Sequence, residues 1–415
     1  MSHQNFLKTI SFKEAKRLIN NKIKIIPKIE EISIKNALNR VLARDIISPI
    51  DVPSFDRSLR DGFAVIAEDT FRADEISPVT LKLVAGIRAG EVSTKSLKSG
   101  ECIEIATGAP IPKGANAVVM IEFSEQEDNY IKIYKTATPM QFITKIGTDI
   151  KRNQIVLNKF TILSPRELGT LAALGYQKVS VFTKPRVSIL STGNELLSSN
   201  EQISYGKIYD INATTLYNSI VESEGIPIKM GISPDDSKII SQKLNEMINI
   251  SDIVIVTGGT SKGKGDLLPE ILTNFENIDF LIHGVRIKPG KPIIISSIKS
   301  TISSIPIFVL PGNPTSCLIT YNLFIDPLVR KFTYFPQKEE KIIKAKVKQR
   351  IYSSEGRTIF QPVKIIDQTT TEIIIAPIQT GSESITTLSH TDGYIKIPEE
   401  IQFLEENQIV DLYLF

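Results

Sequence analysis

Three short stretches of this 415-residue chain gather residue types that bind anions and metal ions. Ser-Thr-Gly-Asn-Glu-Leu at 191–196 places Glu195 just past a glycine turn, where its carboxylate can meet a cation or simply face solvent. Thr-Gly-Gly-Thr-Ser-Lys-Gly-Lys-Gly-Asp at 257–266 offers Gly258, Gly259, Thr260, Ser261, Gly263 and Gly265. Such a stretch lets backbone N–H groups close on a phosphate. Counted from Gly258 it comes within one residue of the phosphate-loop pattern GxxxxGK[ST], but Gly265 stands where the magnesium-binding hydroxyl belongs. Asp266 follows, suited to a metal ion or to a helix cap. Arg-Ile-Lys-Pro-Gly-Lys-Pro at 286–292 fixes Lys288 and Lys291 on either side of Pro289 and Gly290. Two ammonium groups held close repel each other, so an anion between them makes sense of the arrangement; a basic surface turn is the plainer alternative.

Other loops carry less chemistry of their own. Leu-Pro-Gly-Asn-Pro at 310–314 holds Pro311, Gly312 and Asn313, and Asn313 reads as the residue closing a turn before a Pro-started helix. Asp56 and Asp61 sit among arginines in FDRSLRDGFAV, and Thr107 and Gly108 open ATGAPIPKGANAVV; turn chemistry accounts for both. Cys102 and Cys317 lie far apart, as do His3, His283 and His390, which argues against a disulfide framework, a structural zinc site or a histidine metal cage. The formal net charge of +3 gives no signal for nucleic acid or an acidic membrane surface. The first residues lack a signal-peptide core, and no run approaches the ~18 apolar residues that span a bilayer. A cytoplasmic protein is expected.

The elements that must hold these loops are readable in outline. Ser11 and Glu14 suggest a capping box, and Ala15, Leu18, Ile19 and Ile23 recur at helical spacing behind them. From Val52 to about Gly147, short β-rich runs alternate with Gly and Pro turns. PRELGTLAALGY reads as a helix with Pro at its start and Gly at its end. From about Lys184 to Phe335, strands and helices alternate, with DIVIVTGG a continuous apolar strand of the kind buried in a parallel sheet, and Asn212 a candidate N-cap. Such alternation predicts a three-layer α/β domain with ligands outside the carboxyl ends of its strands. PQKEEKIIKAKVKQR starts as a linker and ends as a strand with a solvated lysine face; the rest reads as a small all-β domain.

Taken in order, PSFDRSLRDGFAV, GECIEIATGAPIPKGANAVVM, STGNEL, YDIN, TGGTSKGKGD, IKPGKP, LPGNP and GSESITTLSHTDGYIKIPEE closely resemble the molybdopterin molybdenumtransferase family, that is, MoeA-type proteins and the E domain of gephyrin. The likeness covers nearly the whole chain and is closest to archaeal-type members. It implies a multidomain α/β and β fold: a discontinuous helical framework (1–51 with 149–183), an inserted β domain (52–148), a central three-layer α/β domain of molybdopterin-binding type with a mostly parallel sheet (184–335), and a C-terminal small β barrel (336–415). It implies a homodimer whose active-site cleft receives the partner's β domain.

The resemblance also implies a reaction: adenylated molybdopterin and molybdate are consumed, AMP and active cofactor are released, and a divalent cation, usually Mg²⁺, assists. Matched residue by residue, Asp61, Thr107, Asp149, Glu195, Asp236 and Asp266 are the polar catalytic candidates, with Glu195 and Asp266 the metal ligands. Lys288 and Lys291 match the molybdate-side lysines, and Arg357 and Ser382 match last-domain residues reaching the same anion. SLRDGF departs from the usual SAMDGY by placing Arg60 at an apolar position, and the central loop is more basic than in many relatives, so tungstate is a second candidate oxyanion. Partnership with the molybdopterin adenylyltransferase is a further implication. The rival readings are a non-catalytic pterin-binding scaffold and an ATP-dependent molybdopterin adenylyltransferase.

Overall fold

The computed structural model describes residues 9–259, 267–275, 277–299, 304–339, 341–353, 356–369 and 372–414. The chain forms two compact units, one of residues 32–179 and one of residues up to Glu31 together with Ser180 onward. The first helix, α1 (Phe12–Lys22), belongs to the second unit. Ser11 Oγ accepts from Glu14 N at 3.2 Å, satisfying one of the amides a helix start leaves open. Phe12, Ala15 and Ile19 are buried along one face, and they join the same hydrophobic cluster as the α/β sheet described below.

In the unit of residues 32–179 the chain runs out and back as an antiparallel pair. Val41 bridges Ile162, Ile46–Ile47 pair with Ile155–Leu157, and Val52 bridges Ile150. Between these arms lies a six-stranded mixed sheet of β1 (Gly62–Val65), β2 (Val79–Ile87), β3 (Glu101–Ile105), β4 (Ala117–Met120), β5 (Ser124–Glu127) and β6 (Tyr130–Ile133), in the order β4-β1-β3-β2-β6-β5. Alternate residues feed two separate apolar clusters, one holding Phe63, Cys102 and Val119, the other Ala64, Ile103 and Val118. This is the period-2 segregation a two-sided sheet requires. On the returning arm, α2 (Pro165–Ala173) opens with Pro at its first turn and a full capping box: Arg166 N donates to Ser164 Oγ at 3.2 Å and Ser164 N to Glu167 Oε2 at 2.9 Å. Gly175 follows at φ +80°, as the expected helix stop.

The second unit is built on β7 (Arg186–Thr192), α3 (Asn212–Glu222), β8 (Ile226–Ser233), α4 (Ser237–Ile250), β9 (Ile253–Thr257), α5 (Leu267–Thr273), β10 (Ile278–His283), β11 (Ile287–Lys288), β12 (Ile294–Lys299), β13 (Ser304–Leu310), α6 (Pro314–Thr320) and α7 (Asp326–Thr333). The main sheet runs β8-β7-β9-β13-β12-β10. Its first four strands are mutually parallel, and the last two return antiparallel. All five residues of β9 are buried, as the apolar run DIVIVTGG predicted. Helices cover both faces: α3 and α6 with α1 on one, α4 and α5 on the other, each over its own apolar cluster. A π-turn at Tyr321–Ile325 joins α6 to α7.

The closing strands β14 (Ile342–Val347), β15 (Thr358–Gln368), β16 (Ile373–Pro377), β17 (Gly393–Ile397) and β18 (Ile409–Leu414) form a closed five-stranded barrel, because β15 pairs with both β16 and β17. Two features depart from an all-β expectation. A short helix, α8 (Ile385–His390), interrupts the barrel before β17, and the two-residue strand β11 of the α/β segment adds to the barrel sheet, parallel to β15. The lysine-bearing strand β14 alternates as expected: Ala345 and Val347 are buried, while Lys344 and Lys346 pair at the surface with Asp411 and Glu372.

Candidate active site

The parallel strands β7, β9 and β13 end side by side, and their loops enclose a cleft of about 510 Å³. Thr192, Glu195, Thr257, Gly258, Gly312 and Asn313 line it, joined by Asp210 and Asn212 from the start of α3. Asn212 was expected as an N-cap. The structure places it inside the helix, with Ile211 as the cap residue and Asp210 Oδ1 accepting from Ala213 N at 3.0 Å. The Asn212 side chain turns inward and donates from Nδ2 to Thr257 Oγ1 (2.9 Å) and to the Gly312 carbonyl (2.7 Å), tying two of the strand-end loops together. Gly258 is required there. At φ +99° a Cβ would lie 2.3 Å from the Thr192 carbonyl oxygen.

A second cleft, of about 590 Å³, lies between the α/β sheet and the barrel. Lys288, Pro289, Gly290 and Lys291 line one wall, with Pro311 and Asn313 beside them. Arg350, Arg357 and Ser382 come from the barrel. The barrel does not merely abut this wall. Ile287 pairs in register with Thr358 and Lys288 with Ile359, and Thr358 N donates to the Arg286 carbonyl at 3.0 Å. Lys288 and Arg357 are therefore fixed to neighbouring backbones, although 69 positions separate them in the chain, counted by their numbers. Asn313 lines both clefts, and its Nδ2 donates to Ser382 Oγ at 2.9 Å. Lys288, Lys291 and Arg357 line a space large enough for an oxyanion and part of a larger ligand, the electrostatic setting for a multiply charged anion, while Arg350 beside them is paired with Glu405 at 2.7 Å.

The other sequence-derived candidates fall elsewhere. Asp236 caps α4, its Oδ1 accepting from Lys238 N (2.9 Å) and Ile239 N (3.0 Å). Gly259 follows Gly258 at φ +62° against Leu268. Thr260, Ser261, Gly263, Gly265 and Asp266 lie outside the described residues. In the other unit, Asp61 Oδ1 accepts from Thr107 N at 2.7 Å, joining the two sequence motifs directly. Gly62, next in line, leaves no room for a side chain: a Cβ would stand 1.9 Å from the Val119 carbonyl oxygen. Asp149, exposed, follows the Gly147 turn and donates its N–H to the Val52 carbonyl at 3.0 Å. Asp210, Arg350 and Ser316 were not singled out from sequence, and Asn212 was read there only as a helix cap. YDIN was recognised only as a segment, and Arg350 closes a lysine run that otherwise faces solvent.

Residues 10–175 match the MoeA N-terminal region (domain I and II), 188–331 a probable molybdopterin binding domain, and 344–415 the MoeA C-terminal region (domain IV). A putative molybdopterin biosynthesis protein of Methanocaldococcus jannaschii is 36% identical over 397 residues, covering 93% of this chain and 92% of that protein. The chain belongs to the MoeA family. A molybdopterin molybdenumtransferase of Bacillus subtilis is 31% identical over 390 residues, covering 93% and 89%. Two crystal structures of the MoeA molybdopterin biosynthesis protein of Pyrococcus horikoshii share the fold, with TM-scores of 0.83 and 0.73 at 37% and 33% identity. Both cover 98% of this chain, and 99% and 100% of their own. The archaeal likeness read from the sequence agrees with the Methanocaldococcus and Pyrococcus relatives.

Proposed function

We propose that this MoeA-family chain is a molybdopterin molybdenumtransferase, closing molybdenum-cofactor synthesis by inserting molybdate into adenylated molybdopterin with release of AMP. The observation that carries this reading is the meeting of the two clefts at Asn313. The strand-end cleft takes the nucleotide-linked pterin, and the basic cleft takes the oxyanion, so both substrates lie against one side chain. Lys288, Lys291 and Arg357 compensate the charge of the dianion, while Ser382 and the Asn313 amide fix its orientation. Tungstate, another tetrahedral dianion, fits the same donors.

Mg²⁺ suits the donors available. Among the described residues no group of three or more His, Cys, Asp or Glu could hold a metal ion. Glu195 and Asp210 nevertheless line one cleft, and magnesium binds through one or two carboxylates with phosphate and water oxygens completing its shell. Glu195, with Asp210 and the sequence-assigned Asp266, would hold it there, where it would neutralise charge developing on phosphate oxygens. The pterin is supplied by an adenylyltransferase, the working unit is a homodimer, and the setting is the cytoplasm. Among the described residues no helix is long and apolar enough to cross a membrane.

Lys291→Ala tests the division of labour. Loss of one charge-assisted contact should weaken molybdate dependence by about 1.5–3 kcal/mol. Affinity for adenylated molybdopterin should stay unchanged. An unaltered molybdate response would remove the lysine pair from the oxyanion site.

A further inference from the structure

Glu195, Asp210, Thr257 and Gly258 make part of the strand-end cleft polar, but three other side chains that line it are isoleucines left open to solvent. Ile203, Ile208 and Ile385 are 57%, 55% and 63% exposed. Single exposed apolar side chains are ordinary on a protein surface. Three that meet at one cleft, from two separate elements, are not. Ile203 and Ile208 belong to a flap of residues 198–209 that follows the Ser-Thr-Gly-Asn-Glu-Leu loop, and Ile385 is the first residue of α8. Both elements are tied down. Leu196 and Leu197 pair in parallel register with Ile208 and Tyr209, closing the neck of the flap. Ile208 N donates to the Glu195 carbonyl and Asp210 N to the Leu197 carbonyl, both at 2.9 Å. Within the flap, Tyr209 OH donates to the Glu201 carbonyl at 3.0 Å. On the barrel side, Thr387 of α8 lies hydroxyl to hydroxyl with Thr380 at 2.7 Å, which holds the helix to the segment before it.

We infer that Ile203, Ile208 and Ile385 form an apolar cover that holds a flat nitrogen heterocycle of the substrate in the strand-end cleft, while the polar residues of the same cleft take its pyrophosphate. The inference rests on the proposed reading of that cleft as the seat of the nucleotide-linked pterin. Such a substrate is chemically divided. Its pyrophosphate is charged, and it carries two fused rings, pterin and adenine, whose faces are apolar. Ring faces gain most from apolar walls that exclude water, with a few polar groups fixing the rest of the ligand. Isoleucine suits such a wall, because branching at Cβ leaves it few rotamers to lose. Flap and helix are held before the ligand arrives, so little ordering remains to offset the contact. The exposed surface of the three isoleucines is then the surface that a bound ring covers.

The test uses the full-length protein, with adenylated molybdopterin and AMP as separate probes in titration calorimetry, and thermal unfolding of the same samples. Ile203→Ser and Ile385→Ser remove apolar surface at exposed positions, and Ile203→Leu restores it at one of them. Each serine variant should bind adenylated molybdopterin about fivefold more weakly, and the double variant about twentyfold. The leucine variant should bind as the unaltered protein does. Molybdate binding and the melting temperature should stay unchanged in all of them. A loss that AMP shares places adenine under the cover, and a loss confined to adenylated molybdopterin places the pterin there; either supports the inference. Undiminished binding of adenylated molybdopterin by the double variant overturns it. So does a loss that comes with a lowered melting temperature and is not recovered by leucine, since the isoleucines would then be structural. If the unaltered protein does not bind adenylated molybdopterin, the reading of the cleft fails and takes the inference with it, a result distinct from normal binding that the substitutions leave untouched.

Discussion

Glu195 is exposed at the mouth of the strand-end cleft, two residues past a glycine whose φ is +151°. A carboxylate so placed is free to meet a cation brought in with the substrate. Glu195→Gln preserves its shape and removes its charge. We expect that variant to retain adenylated molybdopterin but to release AMP about a hundredfold more slowly, with a raised Mg²⁺ requirement, as measured by rapid-quench assay across a magnesium series. Normal release at every magnesium concentration would move the metal to Asp210 or Asp266. At this scale Lys288 and Lys291 stood out around Pro289 and Gly290, but on spacing alone a basic surface turn was the plainer reading; the fold brings both to one cleft. The role of Asn212 was not legible. Ahead of a helical run, an Asn looks like a cap, and only partners 45 and 100 residues away turn it into a brace between loops. Asp236, a catalytic candidate by the resemblance, caps α4 with its carboxylate, a local role that the sequence reading did not assign.

Strand β9 and its neighbours set the site's depth, and their presence as buried strands followed from apolar runs and glycine stops that local sequence displays, whereas their order in the sheet did not. The join between barrel and α/β sheet was hidden, because β11 is only two residues long and a strand that short has no periodicity to read. A second concealed element lies behind α6. Asp326 Oδ1 accepts from Arg330 Nε (2.8 Å) and Ser223 Oγ (2.6 Å), and Ser223 Oγ lies 2.9 Å from Tyr321 OH. Burial pushes the Tyr321 phenol up from its ordinary pKa, so it remains a neutral partner. Arg330 also donates to the Pro336 and Glu222 carbonyls, anchoring the exit toward the barrel. Asp326→Ala would leave a buried guanidinium without its counter-charge and should cost about 3–5 kcal/mol of unfolding free energy. Urea titration reads this directly, and a loss under 1 kcal/mol, roughly the ceiling for an exposed pair, would show the network to be dispensable.

Assembly is the property of the whole molecule. In the unit of residues 32–179, Ile47 and Ile155 face each other in register and are 48% and 52% exposed, with Phe160 at 48% nearby on the returning arm. Covering the exposed half of each would contribute about 1 kcal/mol, which favours pairing with a second copy. Ile155→Asp should shift the protein toward monomer in analytical ultracentrifugation and depress turnover in parallel. A dimer unaffected by that change would place the interface elsewhere. The out-and-back course of residues 32–52 and 150–162 was only partly legible. Short β-rich runs from Val52 to about Gly147 were readable, but the pairing of the two arms depends on contacts between segments about a hundred positions apart.

As a molybdenumtransferase, one chain would bind the adenylated pterin and the metal oxyanion together and turn them over. Mixing the protein with adenylated molybdopterin, Mg²⁺ and molybdate, and measuring bound pterin, released AMP and any ATP consumed in one sample, tests it most directly. AMP release should require molybdate, match the pterin supplied, and leave added ATP intact. Pterin retained without AMP release would make the protein a scaffold, and ATP consumed to form adenylated pterin would make it an adenylyltransferase; either result would overturn the molybdenumtransferase reading.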